Sequence, residues 1–275
     1  MSPADKGPGT LRLGRRPEDP PPPGWAKDPE GLLKDGKGSV KAALTGGIAS
    51  GKSTVAALME CFGAKIIDFD LLAREALEPG TDTFDSTLAL FGPKALLKDG
   101  RLDRALMAKR VFKDPGLRRA LEDIVHPFTW KRMLGELGKS KEAPLTVMDV
   151  PLLYEAGLQS LFPRVILCFA APGTQVKRLL FRNPGLSQRQ AKRILANQLP
   201  MAEKLRHANI VLNNDGGLRE LIFQTKDLYL RLTGPDGQRA ACGPPLAGGA
   251  PKACDHPMES GAANDPGKDD GGPDA

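Results

Sequence analysis

A three-layer α/β fold built on a five-stranded parallel sheet is the architecture this sequence predicts, on three observations. Five short, continuously apolar runs alternate with longer stretches of helical periodicity, the pattern of strands buried on both faces and joined by crossover helices. The run Gly46-Gly47-Ile48-Ala49-Ser50-Gly51-Lys52-Ser53-Thr54 stands between the first strand and the first helix. It satisfies G-x-x-x-x-G-K-[ST], the loop that cradles nucleotide phosphates. The stretch 68–144, between the second and third strands, holds only helical patterns and turn signals. It reads as a helical insertion over the carboxyl edge of the sheet, where open α/β sheets bind ligands.

The first strand is 40–45, and Val55, Ala56, Ala57, Leu58 and Met59 carry a helix over 53–62. Gly46 and Gly51 let the intervening backbone turn its N–H groups inward, and the helix N-terminus adds partial positive charge where phosphates sit. In that setting Lys52 reaches the β- and γ-phosphates and the Ser53 hydroxyl ligates Mg²⁺. The second strand is 64–67, with a helix over 70–77. Turn signals at Phe91-Gly92-Pro93 and Lys98-Asp99-Gly100 precede helices at 103–112 and 115–138. Strands at 145–149 and 164–170 follow, then helices at 173–182 and 187–198, a strand at 209–213 and a helix at 217–232.

Outside 39–233 the composition changes. Residues 1–38 include Pro20-Pro21-Pro22-Pro23-Gly24, and 234–275 are dominated by Gly, Pro, Ala and Asp. Neither stretch buries enough apolar surface to offset its ordering entropy, so both are expected to be disordered tails around one domain. No secretory h-region, acid-poor transit sequence or membrane-length apolar run is present, which points to the cytoplasm. The net charge of +6 suits anionic ligands, but 5% aromatic residues offer little for base stacking. Nucleic acid is therefore the weaker partner class. Cys61 and Cys168 lie in apolar stretches and read as core thiols; Cys242, Cys254 and His256 have no recognised metal spacing.

Several residues stand where chemistry is expected. Asp68 and Asp70 follow the second strand, so both carboxylates reach the carboxyl edge near the phosphate loop. There they orient Mg²⁺ through water or accept a proton from an attacking hydroxyl; alternatively Asp70 is only the N-cap of the following helix. Asp149 ends an apolar run, as the Mg²⁺-binding acid of such enzymes does, with turn capping before Pro151 as its rival reading. His126 alone reads as a packing residue. Lys177, Arg178, Arg182, Arg189, Lys192 and Arg193 form a basic stretch broken at Asn183-Pro184-Gly185, with Ser187 as the next cap. Two arginine-rich helices joined by a turn describe a lid over a triphosphate, at about 178–193, although a solvated basic face has the same signature.

Taken together, these motifs resemble one family, dephospho-coenzyme A kinase, from about Val40 to Leu232. The loop opens Leu44-Thr45-Gly46-Gly47-Ile48, and Asp68-Phe69-Asp70 with Ala73-Arg74 is similar to the family's D-x-D-x-x-A-R. Leu102-Asp103-Arg104, His126-Pro127, Asp149-Val150-Pro151-Leu152-Leu153-Tyr154-Glu155, Arg182 and Arg193-Ile194-Leu195-Ala196-Asn197-Gln198 follow in the family's order. The resemblance implies a P-loop kinase fold that phosphorylates the ribose 3′-hydroxyl of dephospho-coenzyme A with ATP and Mg²⁺. It implies Asp70 as the base, with Lys52 and Arg182 on the phosphates. Gly47 through Thr54, Asn214 and Gly216 would bind ATP, with Asn214 and Gly216 near the adenine. Arg74, Arg104, His126, Leu152 and Glu155 would lie near the acceptor, and Ser53 would hold Mg²⁺, with Asp68, Asp70 or Asp149 acting through water. Asn183, Asn209 and Asn213 depart from the acids usual at those places. A kinase for another small acceptor, such as a nucleoside monophosphate, is the alternative within enzymes.

Overall fold

The computed structural model describes residues 33–35 and 39–234. Five strands, β1 (Val40–Gly46), β2 (Lys65–Asp68), β3 (Leu145–Asp149), β4 (Val165–Phe169) and β5 (Ile210–Asn213), form one sheet in the order β2-β3-β1-β4-β5. Every neighbouring pair is parallel, so all five carboxyl ends share one edge. The order reverses beside β1, the topological switch point at which such sheets bind ligands.

Both faces of the sheet are buried, as continuous apolar strands require. Ala42, Leu44, Val147, Ile166 and Cys168 face one way, against Val55, Ala56 and Met59 of α1 (Lys52–Cys61) and Leu221, Leu228 and Leu232 of α9 (Leu218–Thr233). Ala43, Ile67, Met148, Val165 and Leu167 face the other way. They meet Leu72 of α2 (Phe69–Glu75) and Trp130, Met133 and Leu137 of α5 (Pro115–Lys139). Side-chain alternation along each strand sends successive residues to opposite layers.

The insertion consists of α2, α3 (Asp82–Phe91), α4 (Arg104–Lys113) and α5, with a satellite core of Phe84, Phe91, Ala95, Leu102 and Met107. An antiparallel bridge, Leu96 to Leu102, closes the Lys98-Asp99-Gly100 turn. The stretch expected as a lid forms the pair α6 (Pro172–Arg182) and α7 (Gln188–Ala196), joined through Val176, Leu179 and Ala191. Ser187 and Gln190 form a capping box at the start of α7, and α8 (Met201–His207) leads into β5.

Three expectations need correcting. Leu33–Asp35, placed in the tail, instead packs on the domain: Leu33 is buried in the core, and Asp35 pairs with Arg164 (2.6 Å) and accepts from the Lys41 N–H (3.0 Å). Cys61 is exposed at the end of α1 rather than in the core, because its helix face turns outward there; Cys168 is buried as expected. Helices α3 and α8 replace stretches left without an element. Apart from Leu33–Asp35 and Gly234, the two tails, with Cys242, Cys254 and His256, lie outside the described residues. No helix among the described residues is long and apolar enough to cross a membrane.

Candidate active site

The phosphate loop runs from the end of β1 directly into α1, whose N-cap is Gly51 at φ 96°. That left-handed conformation is open to glycine at no steric cost. Ala49 shares it at φ 57°, a strained geometry for a residue with a Cβ and one that clusters at ligand sites. The loop is gripped from outside. Ser50 O accepts from Asn214 Nδ2 (2.6 Å), Arg178 Nη1 (3.3 Å) and the Cys168 thiol (3.3 Å). Burial pushes that thiol up to about 11, so it stays protonated.

Lys52, in the first turn of α1, is paired with Asp149 at the carboxyl end of β3. Asp149 is Asp68's register partner across the β2–β3 ladder, so the two carboxylates sit side by side at the edge. Asp68 Oδ1 accepts from the Leu71 N–H (3.1 Å), making Asp68 the N-cap of α2. Asp70, the residue weighed as that cap, instead lies exposed in the helix's first turn. Partial desolvation and then the Asp68 charge raise its pKa, against the pull of Lys52 and Arg74. Burial likewise raises Asp149, opposed by Lys52.

Arg74 is exposed in the last turn of α2. Arg104 Nη2 pairs with Glu78 (2.8 Å) and donates to Arg74 O (3.3 Å), beside a cavity of about 390 Å³ lined by Leu77, Leu97 and Leu102 among others. His126 is half-buried in α5, just ahead of the internal Pro127. Leu152 is 49% exposed beyond β3. Glu155 is not presented to an open cleft: it is buried, its Oε1 taken by Lys204 Nζ (2.8 Å) and the Leu199 N–H (2.9 Å). The charge of fully buried Lys204 draws it inward, which a sequence motif does not reveal. Asn214 likewise braces the phosphate loop through Ser50 and gives its own carbonyl to Arg178 Nη2 (2.7 Å). Gly216 follows it on the exposed turn before α9.

Arg182 is exposed at the end of α6, and Arg189, Lys192 and Arg193 line an open basic groove on α7. Ser53 is exposed at the start of α1. Among the described residues no group of three His, Cys, Asp or Glu side chains converges as a metal cage. The set on hand, one hydroxyl and adjacent carboxylates, suits Mg²⁺, which takes one or two protein oxygens and shares the rest with phosphates and water. Sequence reasoning missed Gln175, and found Gln198 only within the lid motif; both bond the backbone of Ile48, one its carbonyl and the other its N–H.

A family model described as dephospho-CoA kinase (CoaE) matches residues 40–220. The dephospho-CoA kinase of Anaeromyxobacter dehalogenans (strain 2CP-C) is 42% identical over 205 residues, 74% of this chain and 97% of that relative. The chain belongs to the dephospho-CoA kinase family. Another relative of that name, from Geobacillus kaustophilus (strain HTA426), is 40% identical over 183 residues, covering 64% of this chain and 89% of its own. Among solved structures, TT1252 from Thermus thermophilus superposes with a TM-score of 0.63 at 38% identity, covering 72% of this chain and all of that one. The dephospho-CoA kinase from Campylobacter jejuni shares the fold at a TM-score of 0.54 and 24% identity, with 71% and 98% covered.

The asparagines at 183, 209 and 213, expected from the resemblance to stand in place of acids, each have a defined partner. Asn209 Oδ1 accepts from the Val165 N–H (2.8 Å) and Asn213 Oδ1 from the Asp215 N–H (3.0 Å), bonds a carboxylate also accepts. Asn183 Nδ2 donates to Leu179 O (3.0 Å), closing the end of α6 in a way no ionised acid can.

Proposed function

We infer that this protein transfers the γ-phosphoryl group of ATP to the 3′-hydroxyl of dephospho-CoA, giving CoA and ADP, the last step of CoA biosynthesis. Family membership supports the activity. The observation that carries the site is the convergence of Lys52, Asp149, Asp68 and Asp70 on one sheet edge, beside a phosphate loop with its helix N-terminus.

The loop from Gly47 to Thr54 binds the triphosphate through its N–H groups and Lys52. Asp70 holds the acceptor hydroxyl in line and takes its proton as the new O–P bond forms and the bond to the β–γ bridging oxygen breaks. Its neighbour Asp68 is committed to capping α2, which leaves Asp70 as the available base. Arg182 approaches the phosphates from the lid and spreads the developing charge together with Lys52. Ser53 would ligate Mg²⁺ and Asp149, Asp68 or Asp70 would orient its waters, the bound ion supplying positive charge against the phosphates. Arg74, Arg104, His126 and Leu152 border the acceptor side. Glu155 acts there indirectly, by fixing the turn after β3, and Asn214 acts on ATP through the loop it braces, with Gly216 beside it. Small-molecule substrates of a metabolic kinase family support a cytoplasmic site of action as part of this reading.

ADP release from purified protein with ATP and a panel of acceptors tests this reading. Dephospho-CoA is expected to be the preferred acceptor by at least about tenfold in kcat/KM over nucleoside monophosphates. Preference for a nucleoside monophosphate would refute it.

A further inference from the structure

The lid leaves the domain by one root and returns by another, and both roots end on one residue of the phosphate loop. On the outgoing side Gln175 of α6, only 4% exposed, donates from Nε2 to the Ile48 carbonyl (2.7 Å). On the return, Gln198, just beyond α7, accepts the Ile48 N–H through Oε1 (2.8 Å). The next residue, Leu199, is tied to Glu155 and so to buried Lys204. Closeness is enforced at Gly47, where a Cβ would overlap Gln175 Nε2 and come within 2.9 Å of Met201 Cε, at the start of α8.

The sense of each bond is fixed, because a carbonyl only accepts and an N–H only donates. Residue 175 must therefore donate and residue 198 must accept. Immediately after Ile48 comes Ala49, held in a left-handed conformation that its side chain disfavours. A strained residue persists where its surroundings over-determine it, and the two glutamines supply that constraint on its N-terminal side.

We propose that Gln175 and Gln198 are positioning residues that hold the phosphate loop in its nucleotide-binding shape and lock that shape to both roots of the lid. Their effect falls on ATP and spares the acceptor. The proposal rests on the reading of Gly46–Thr54 as the ATP loop.

Gln→Glu substitution at each position separates hydrogen-bond sense from charge. Both variants add one negative charge beside Ile48. Gln198→Glu keeps an acceptor against the N–H, whereas Gln175→Glu sets a carboxylate against a carbonyl. Steady-state kinetics are expected to give Gln175→Glu an ATP KM about tenfold above that of Gln198→Glu, with the acceptor KM within about twofold of wild type in both. Equal ATP KM values, or the reverse order, would overturn the proposal. Where glutamate at buried position 175 prevents folding, Gln198→Leu carries the test, since it removes the acceptor without adding charge. An ATP KM about tenfold higher supports the role; an unchanged ATP KM with lower kcat, the mark of a reduced active fraction, overturns it. Wild-type turnover with ATP, run alongside, reports on the ATP reading itself, so failure of that reading is distinguishable.

Discussion

The Lys52 ammonium is paired with the Asp149 carboxylate, joining the first turn of α1 to the end of β3 across the edge where the site lies. Both side chains are largely shielded, 18% and 9% exposed, so leaving either charge unpaired costs more than it does in a surface bridge. ATP phosphates and Asp149 therefore compete for the same cation.

Asp149→Asn removes the competing charge together with the acid proposed to orient Mg²⁺. Its kcat is expected to fall about tenfold or more, with an ATP KM no higher than wild type. An ATP KM that rises with the fall in kcat would show that the pair assists nucleotide binding instead.

Asp70 is predicted to leave a signature in both rate and stability. A base must be ionised, so activity falls as pH drops through its pKa, and desolvation raises that pKa. The acid limb of kcat/KM is thus expected above the ordinary aspartate value of about 3.9. For stability, the folded state holds the Asp70 proton more tightly than the unfolded chain. The resulting stabilisation is present at low pH and lost as pH rises through the folded pKa. At neutral pH the charge opposes folding, so Asp70→Asn should melt at a higher temperature than wild type while turning over far more slowly. A lower melting temperature, or near-normal turnover, would contradict the assignment.

The Glu155–Lys204 pair is expected to matter for folding more than for substrate contact. Lys204 is fully buried, and Glu155 also receives the Leu199 N–H. Lys204→Met leaves a buried carboxylate unpaired and should cost about 3–5 kcal/mol in urea denaturation. Adding Glu155→Gln should recover part of that loss. Additive losses would mean that the two groups do not interact.

Gly51→Ala is predicted to abolish nucleotide binding. Position 51 has φ 96°, and a Cβ there would collide with Asn214 Nδ2. The backbone alone costs about 1–2 kcal/mol, and displacing Asn214 also frees Ser50. Calorimetric titration of ATP that matched wild type would contradict this.

The sheet and the phosphate loop were legible because buried parallel strands read as unbroken apolar runs, and because a glycine-lysine-serine loop needs those residues for backbone reasons. Helix α3 escaped although Thr81 caps it, accepting from the Phe84 N–H (3.1 Å): its apolar positions serve the small core of the insertion and look like turn sequence. Asp68 and Asp70 were found as a pair, and only the family resemblance told them apart, since capping depends on where β2 stops. Glu155 and Asn214 were legible only as motif residues. Their actual work, bracing Leu199 and Ser50, depends on partners 44 and 164 residues away. Gln175 lies outside any chemical pattern and Gln198 stood only as the last residue of a lid motif; only folding shows that both end at Ile48.

Transfer of label from γ-labelled ATP to dephospho-CoA, with the phosphorylated position identified in the product, tests the central claim most directly. The account predicts one labelled phosphate per product molecule, on the ribose 3′-oxygen, with equimolar ADP and almost none formed by Asp70→Asn. Label released as inorganic phosphate, or carried to another position or another acceptor, would contradict it.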